Sequence, residues 1–67
     1  MHVSIFINGE QRELEAGNVA ELVCALELTG DRIAVEQNCE IVPRTAWESA
    51  AVRDGDRFEI VHFVGGG

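Results

Sequence analysis

The sequence predicts an α+β domain: a mixed sheet of four to five strands, one main helix packed on one of its faces, and a flexible glycine tail at the C-terminus. Three observations predict it. Residues 3–7 and 58–64 are strand-like apolar segments at opposite ends of the chain. One amphipathic helical stripe lies between them. An Asn-Gly pair directly after the first segment is a strong hairpin signal, so that segment has an antiparallel neighbour.

Each element follows from local chemistry. In residues 3–7, Val3, Ile5 and Ile7 fall on one side, the alternation of a half-buried strand. Asn8-Gly9 fits a type I′ turn, whose two central positions both need φ > 0. Residues 10–14 read as the returning strand, and Gly17 marks a break. Asn18 is a helix N-cap, with Glu21 in the capping-box position three residues on. Val19, Leu22, Val23 and Leu26 fall at i, i+3, i+4 and i+7 and make one apolar stripe. Gly30 stands where a left-handed stop is expected. Cys24 lies off the stripe, at the flank or surface of the helix.

Residues 32–37 form another alternating strand with Ile33 and Val35 inward. Asn38-Cys39-Glu40 is a turn, and Ile41-Val42 a short strand ended by Pro43, which cannot continue a ladder. Residues 45–51 form one or two irregular helical turns, with Trp47 covering the bottom of the core. Asp54-Gly55-Asp56 is the last turn. In the final strand, 57–64, Phe58 and Ile60 point inward, and its nearly continuous apolar character places it centrally. One helix covers only one face of a sheet. With the hairpin and the right-handed crossover rule, the simplest plan inserts the last strand beside the first. This is the β-grasp, or ubiquitin-like, plan: a domain over residues 1–64 and a tail over 65–67.

Composition excludes several functions. Twelve Asp and Glu stand against five Lys and Arg, a net charge of −7. Such a surface repels nucleic acid and anionic lipid, and a basic protein is its natural complement. A domain of about 60 residues buries only about 60% of its unfolded surface, which leaves little room for an enclosed catalytic cavity. No signal-peptide pattern or membrane-length apolar run is present, so a cytoplasmic location is expected. Cys24 and Cys39 are too few for a disulfide scaffold and lack metal-ligand spacing, so they read as reduced, incidental thiols. His2 and His62 have no nucleophile placed beside them by sequence and are not read as catalytic.

The terminal glycines read either as a frayed, solubilising end or as the part that carries the chemistry. Val64-Gly65-Gly66-Gly67 follows directly on the last strand. Three residues without side chains can enter a narrow channel, and fully extended they reach roughly 10 Å. They present the α-carboxyl of Gly67, which with a reference pKa of about 3.3–3.7 is ionised at neutral pH and unreactive as an electrophile until activated. The expected functional group is therefore the C-terminus itself. On the sheet face away from the helix, Phe6, Val61 and Phe63 are expected to form one exposed apolar patch, with Ala34 nearby and Val64 adjoining it at the tail. Contiguous exposed apolar surface of this kind marks a partner site. Asp54, Asp56 and Glu59 either steer docking onto a basic partner or make an ordinary solvated face.

Asn8-Gly9-Glu10, Ala34-Val35-Glu36 followed by Asn38, Ile41-Val42-Pro43-Arg44 before Trp47, and Asp54-Gly55-Asp56-Arg57-Phe58-Glu59-Ile60-Val61 running into Val64-Gly65-Gly66-Gly67 together resemble the ThiS-type sulfur carrier proteins of thiamin biosynthesis. The resemblance covers essentially the whole chain. One departure is Cys39, at a turn position where the family usually has glycine; cysteine tolerates φ > 0 poorly. The resemblance implies a co-substrate, not an enzyme. The Gly67 carboxylate would be adenylated by an E1-like enzyme, with ATP and magnesium bound by that partner and no cofactor bound by this chain. A sulfur donor such as a cysteine desulfurase would convert it to a thiocarboxylate for delivery to thiazole synthase. Gly65 and Gly66 would be the threaded stalk. Two alternatives stay open: a carrier like the small subunit of molybdopterin synthase, and a non-covalent ubiquitin-like binding module.

Overall fold

Five strands form one sheet, in which the second, first, fifth, third and fourth strands of the chain lie side by side in that order. The structure is a computed structural model that describes residues 2–28 and 32–62. Its elements are β1 (His2–Ile7), β2 (Glu10–Glu15), α1 (Val19–Ala25), β3 (Ile33–Gln37), β4 (Glu40–Ile41), a 3-10 turn (Arg44–Ala46) and β5 (Arg57–His62). β5 lies parallel to β1 and antiparallel to β3, so the last strand is central, as its apolar run requires. This is the mixed sheet with one helix that the sequence predicts. Among the described residues no helix is long and apolar enough to cross a membrane.

Both hairpins turn in the same way. Asn8 and Gly9 have φ 50° and 86°, and Asn38 and Cys39 have φ 52° and 73°. Positive φ at two successive positions matches the twist of the flanking strands. Cys39 therefore holds a left-handed conformation, which costs a residue with a Cβ about 1–2 kcal/mol.

The helix starts as its caps dictate. The Asn18 side chain accepts from the Glu21 N–H at 2.8 Å, and the Glu21 carboxylate accepts from the Gly17 N–H at 2.6 Å. Its end differs from the expectation. The left-handed residue is Glu27, at φ 60°, three positions before Gly30, which lies outside the described residues. The Glu27 N–H donates to the Cys24 carbonyl at 3.0 Å and the Leu28 N–H to the Val23 carbonyl at 3.2 Å, the paired bonds of a Schellman stop. Leu28 packs on the core one position past the left-handed residue. That apolar contact accompanies such stops and offsets the strain at Glu27.

The core lies between α1 and one sheet face. Val3, Ile5, Ile7, Val35, Phe58 and Ile60 enter it from the sheet, and Val19, Leu22 and Val23 from the helix. Each fully buried side chain of this size contributes roughly 1.5–3 kcal/mol. Trp47 closes the bottom: it is buried, and its indole N–H donates to the Val42 carbonyl at 3.0 Å. The segment after the 3-10 turn is tied to the helix start, where Val19 donates to Ala50 at 2.9 Å and Ala20 to Trp47 at 3.1 Å.

Candidate functional site

β5 is the strand that leads to the tail, so the site is built around its edges and its outer face. β3 flanks β5 from Gln37↔Phe58 to Ile33↔His62. β1 flanks only its start, at Phe6↔Arg57 and Ile7↔Phe58, because the chain then turns at Asn8 into the hairpin. The Asn8 side chain takes over on that edge. Its carbonyl accepts from the Ile60 N–H at 2.8 Å and its amide donates to the Ile60 carbonyl at 3.1 Å. The Asn8 backbone N–H also donates to Phe58 at 2.8 Å. Sequence reading took Asn8 only as a turn residue; nothing local reveals a bond across fifty-two positions.

Two hairpin asparagines thus hold β5 from either side. Asn38 accepts from the Arg57 N–H at 3.0 Å through its side chain, and its backbone N–H donates to the Arg57 carbonyl at 2.7 Å. Below them, Asp54 and Asp56 are structural, a role that the docking or solvated-face readings did not anticipate. Asp54 accepts from the Ser4 N–H at 2.8 Å. Asp56 accepts from Arg53 N–H at 2.9 Å, Gln37 at 2.9 Å and Asn38 at 3.1 Å. Partial burial pushes the Asp56 carboxyl up. The hydrogen bonds from Asn38, Arg53 and Gln37, with the nearby Arg53 charge, outweigh burial and hold it below its ordinary value.

The outer face carries Phe6 and Val61, two of the expected partner residues, and these two do not meet in one patch. The parallel register sets Phe6 beside Arg57, whose guanidinium stacks 4.8 Å from the ring centroid and leaves Phe6 half-buried. Val61, four residues further along β5, is roughly 13 Å away, with Glu59 between them on the same face. Val61 is 51% exposed and pairs with the exposed Ala34. Glu36 lies opposite Glu59, and on its other side Ile41, 75% exposed, pairs with Glu36. Sequence reading missed Ile41 as a surface group. The face is therefore three apolar spots, at Phe6, at Val61 with Ala34 and at Ile41, set around the Glu36 and Glu59 carboxylates. Phe63, Val64, Gly65, Gly66 and Gly67, the remaining expected site residues, lie outside the described residues.

On the helix side, Ile7, Asn8, Arg12, Leu26, Leu28, Ile60 and His62 line an open cavity of about 280 Å³. His62 is exposed at its rim, and His2 contacts Glu13 at 2.9 Å at the far end of β1. Cys24 and Cys39 are exposed free thiols.

Comparison with known proteins places this architecture. The model of the ThiS family matches residues 5–67. A thiazole synthase of Paramagnetospirillum magneticum is 44% identical over 66 residues, covering 97% of this chain and 20% of that protein. A second thiazole synthase, of Magnetococcus marinus, is 36% identical, again over 20% of its length, so the chain spans about a fifth of these two relatives. The sulfur carrier protein ThiS of Bacillus subtilis is 36% identical over 53 residues, 79% of this chain and 80% of that protein. In three dimensions the thiamine biosynthesis protein ThiS of Geobacter metallireducens superposes with a TM-score of 0.81 at 33% identity, covering 97% of this chain and all of that one. With the sheet order, the single helix and a family match through residue 67, the chain belongs to the ThiS family.

Proposed function

We propose that this chain carries sulfur for thiazole formation in thiamin biosynthesis, on the α-carboxyl of Gly67. An E1-like adenylating enzyme brings ATP and magnesium. A carboxylate oxygen of Gly67 attacks the α-phosphorus, pyrophosphate leaves, and the acyl group acquires a good leaving group, the purpose of covalent activation. A donor such as a cysteine desulfurase supplies sulfur as a persulfide whose outer sulfur displaces AMP to give an acyl disulfide, and a thiol reductant then cleaves the S–S bond, releasing the donor's thiol and leaving a thiocarboxylate for thiazole synthase. The glycines suit threading because a Cβ would meet the walls of a narrow channel and restrict the extended backbone. The carrier is a co-substrate whose own residues bind and present, without acid–base work. Phe6 with its stacked Arg57, Val61, Phe63 and Val64 form the partner-binding side of the molecule in this reading.

The observation that carries the reading is the family match, which runs through the glycines to residue 67. The reading also requires Gly67 to bear a free carboxyl in the cell. Intact-mass and C-terminal peptide mass spectrometry of protein from its own host tests both. The expected result is an oxygen-to-sulfur exchange located on Gly67. Gly67 found in a peptide bond to further residues of the mature protein overturns the reading. So does an unchanged mass after incubation with the activating enzyme, ATP and a sulfur donor.

A further inference from the structure

We propose that Asn8 is a positioning residue for the reaction at the tail: its side-chain amide stands in for one more residue of β1 and holds the end of β5, the strand that precedes the tail. The proposal rests on the carrier reading above.

Three observations carry it. First, the β1–β5 register ends at Ile7↔Phe58, while β5 continues to His62. Second, the groups that Ile60 turns toward the vacated edge are both taken by Asn8, at 2.8 and 3.1 Å, in a part-buried setting. A primary amide is the one side-chain group that offers an acceptor and a donor in the geometry of a peptide unit. Asp keeps only the acceptor, and Ser is too short to span both groups. Third, Asn8 sits at φ 50°, which lets the backbone leave for β2 while the side chain stays on the line of β1. Asn tolerates this region better than most residues. The ladder is thus continued by a side chain after the main chain has gone.

The consequence is kinetic. On its other edge β5 is flanked by β3 as far as His62. Without the amide, the end of β5 is held from one side only and frays more often, as lightly tied strand ends do. Docking through the outer face is unaffected, since Asn8 lines the cavity on the helix side. What is lost is the fixed end of β5 from which the partner's active site takes up the tail, and a misplacement of about 1 Å there costs up to about a hundredfold in rate.

The test is Asn8→Gly, which accepts the turn conformation and deletes the amide. If that variant proves unfolded by circular dichroism, Asn8→Asp replaces it, retaining shape and turn preference while setting a carboxylate against the Ile60 carbonyl. Two readouts are taken on folded protein. Exchange of the Ile60 amide hydrogen is expected to accelerate at least about fivefold, the equivalent of one lost hydrogen bond. Acyl-adenylate formation with the activating enzyme and ATP is expected to lose at least about fivefold in kcat, with KM for the carrier within about twofold, since only the geometry of the bound end has changed. Unchanged exchange at Ile60, unchanged kcat, or a loss confined to KM overturns the proposal. If wild-type protein is not adenylated at all, the carrier reading itself fails and the proposal falls with it, an outcome separate from a wild-type protein that reacts beside a variant that reacts equally well.

Discussion

Replacing Cys39 with glycine should make this protein more stable, and the molecule contains its own control. The β1–β2 and β3–β4 turns share one backbone shape: φ 50° and 86° at Asn8-Gly9, and 52° and 73° at Asn38-Cys39. The second position is glycine in one turn and cysteine in the other. A Cβ in the left-handed region costs about 1–2 kcal/mol. The Cys39 thiol is exposed and free, so its removal gives up little packing. Glycine returns about 0.4–1 kcal/mol to the unfolded chain as entropy. The balance is a gain of about 0.5–1 kcal/mol for Cys39→Gly. In a domain of this size that is about 2–8 °C in Tm. Urea unfolding under reducing conditions, followed by the fluorescence of the single, buried Trp47, measures it as a raised midpoint at unchanged slope. The reciprocal change is Gly9→Ala, where a Cβ meets no atom within 4 Å, so the backbone alone sets its cost. It should destabilise by about 1 kcal/mol. A neutral or harmful Cys39→Gly beside a harmless Gly9→Ala would refute the strain argument.

Four further outcomes are expected. Glu27→Gly relieves the same strain at the helix stop and should add about 0.5–1 kcal/mol by the same balance, read as a shift in thermal midpoint. Leu22→Ala empties a fully buried site and should cost about 2–5 kcal/mol, enough to unfold much of a small domain at ambient temperature; a cost under about 1 kcal/mol would contradict the packing described. Asp56 has a carboxyl held below its ordinary value in the fold, so its contribution is present above the unfolded-state value and lost as pH falls through the lower folded one. The gap in urea midpoint between wild type and Asp56→Asn should therefore be full at pH about 6 and close below pH about 4; a gap independent of pH would be contrary. On the proposed carrier reading, Val61→Glu, on the outer face, should weaken binding to the activating enzyme by about tenfold or more while Tm moves little, and calorimetric titration beside a melting curve separates the two.

Much of the fold is legible because it is locally determined. Alternation places Val3, Ile5, Ile7, Val35, Phe58 and Ile60 inward, and all of them belong to the core. The Asn18 cap and the Asn8-Gly9 turn follow from side-chain chemistry within four residues. The misplaced helix stop shows the limit. Gly30 is the better left-handed residue by local preference, yet the stop falls at Glu27, where Leu28 meets the core. The outer face shows it again. Alternation puts Phe6 and Val61 on one side, but only the parallel register reveals Arg57 over the ring and Glu59 between the two residues.

The sequence by itself determined which elements form and which side of each is buried, because these depend on residues near one another along the chain. Tertiary structure alone decided what touches β5: the Asn8 amide on Ile60, the Asn38 side chain on Arg57, the Asp56 carboxylate among three donors. Those contacts join residues up to fifty-two positions apart. They form only after hydrophobic burial has set the strand register, and a register shift of one residue would turn every side chain of a strand to the opposite face.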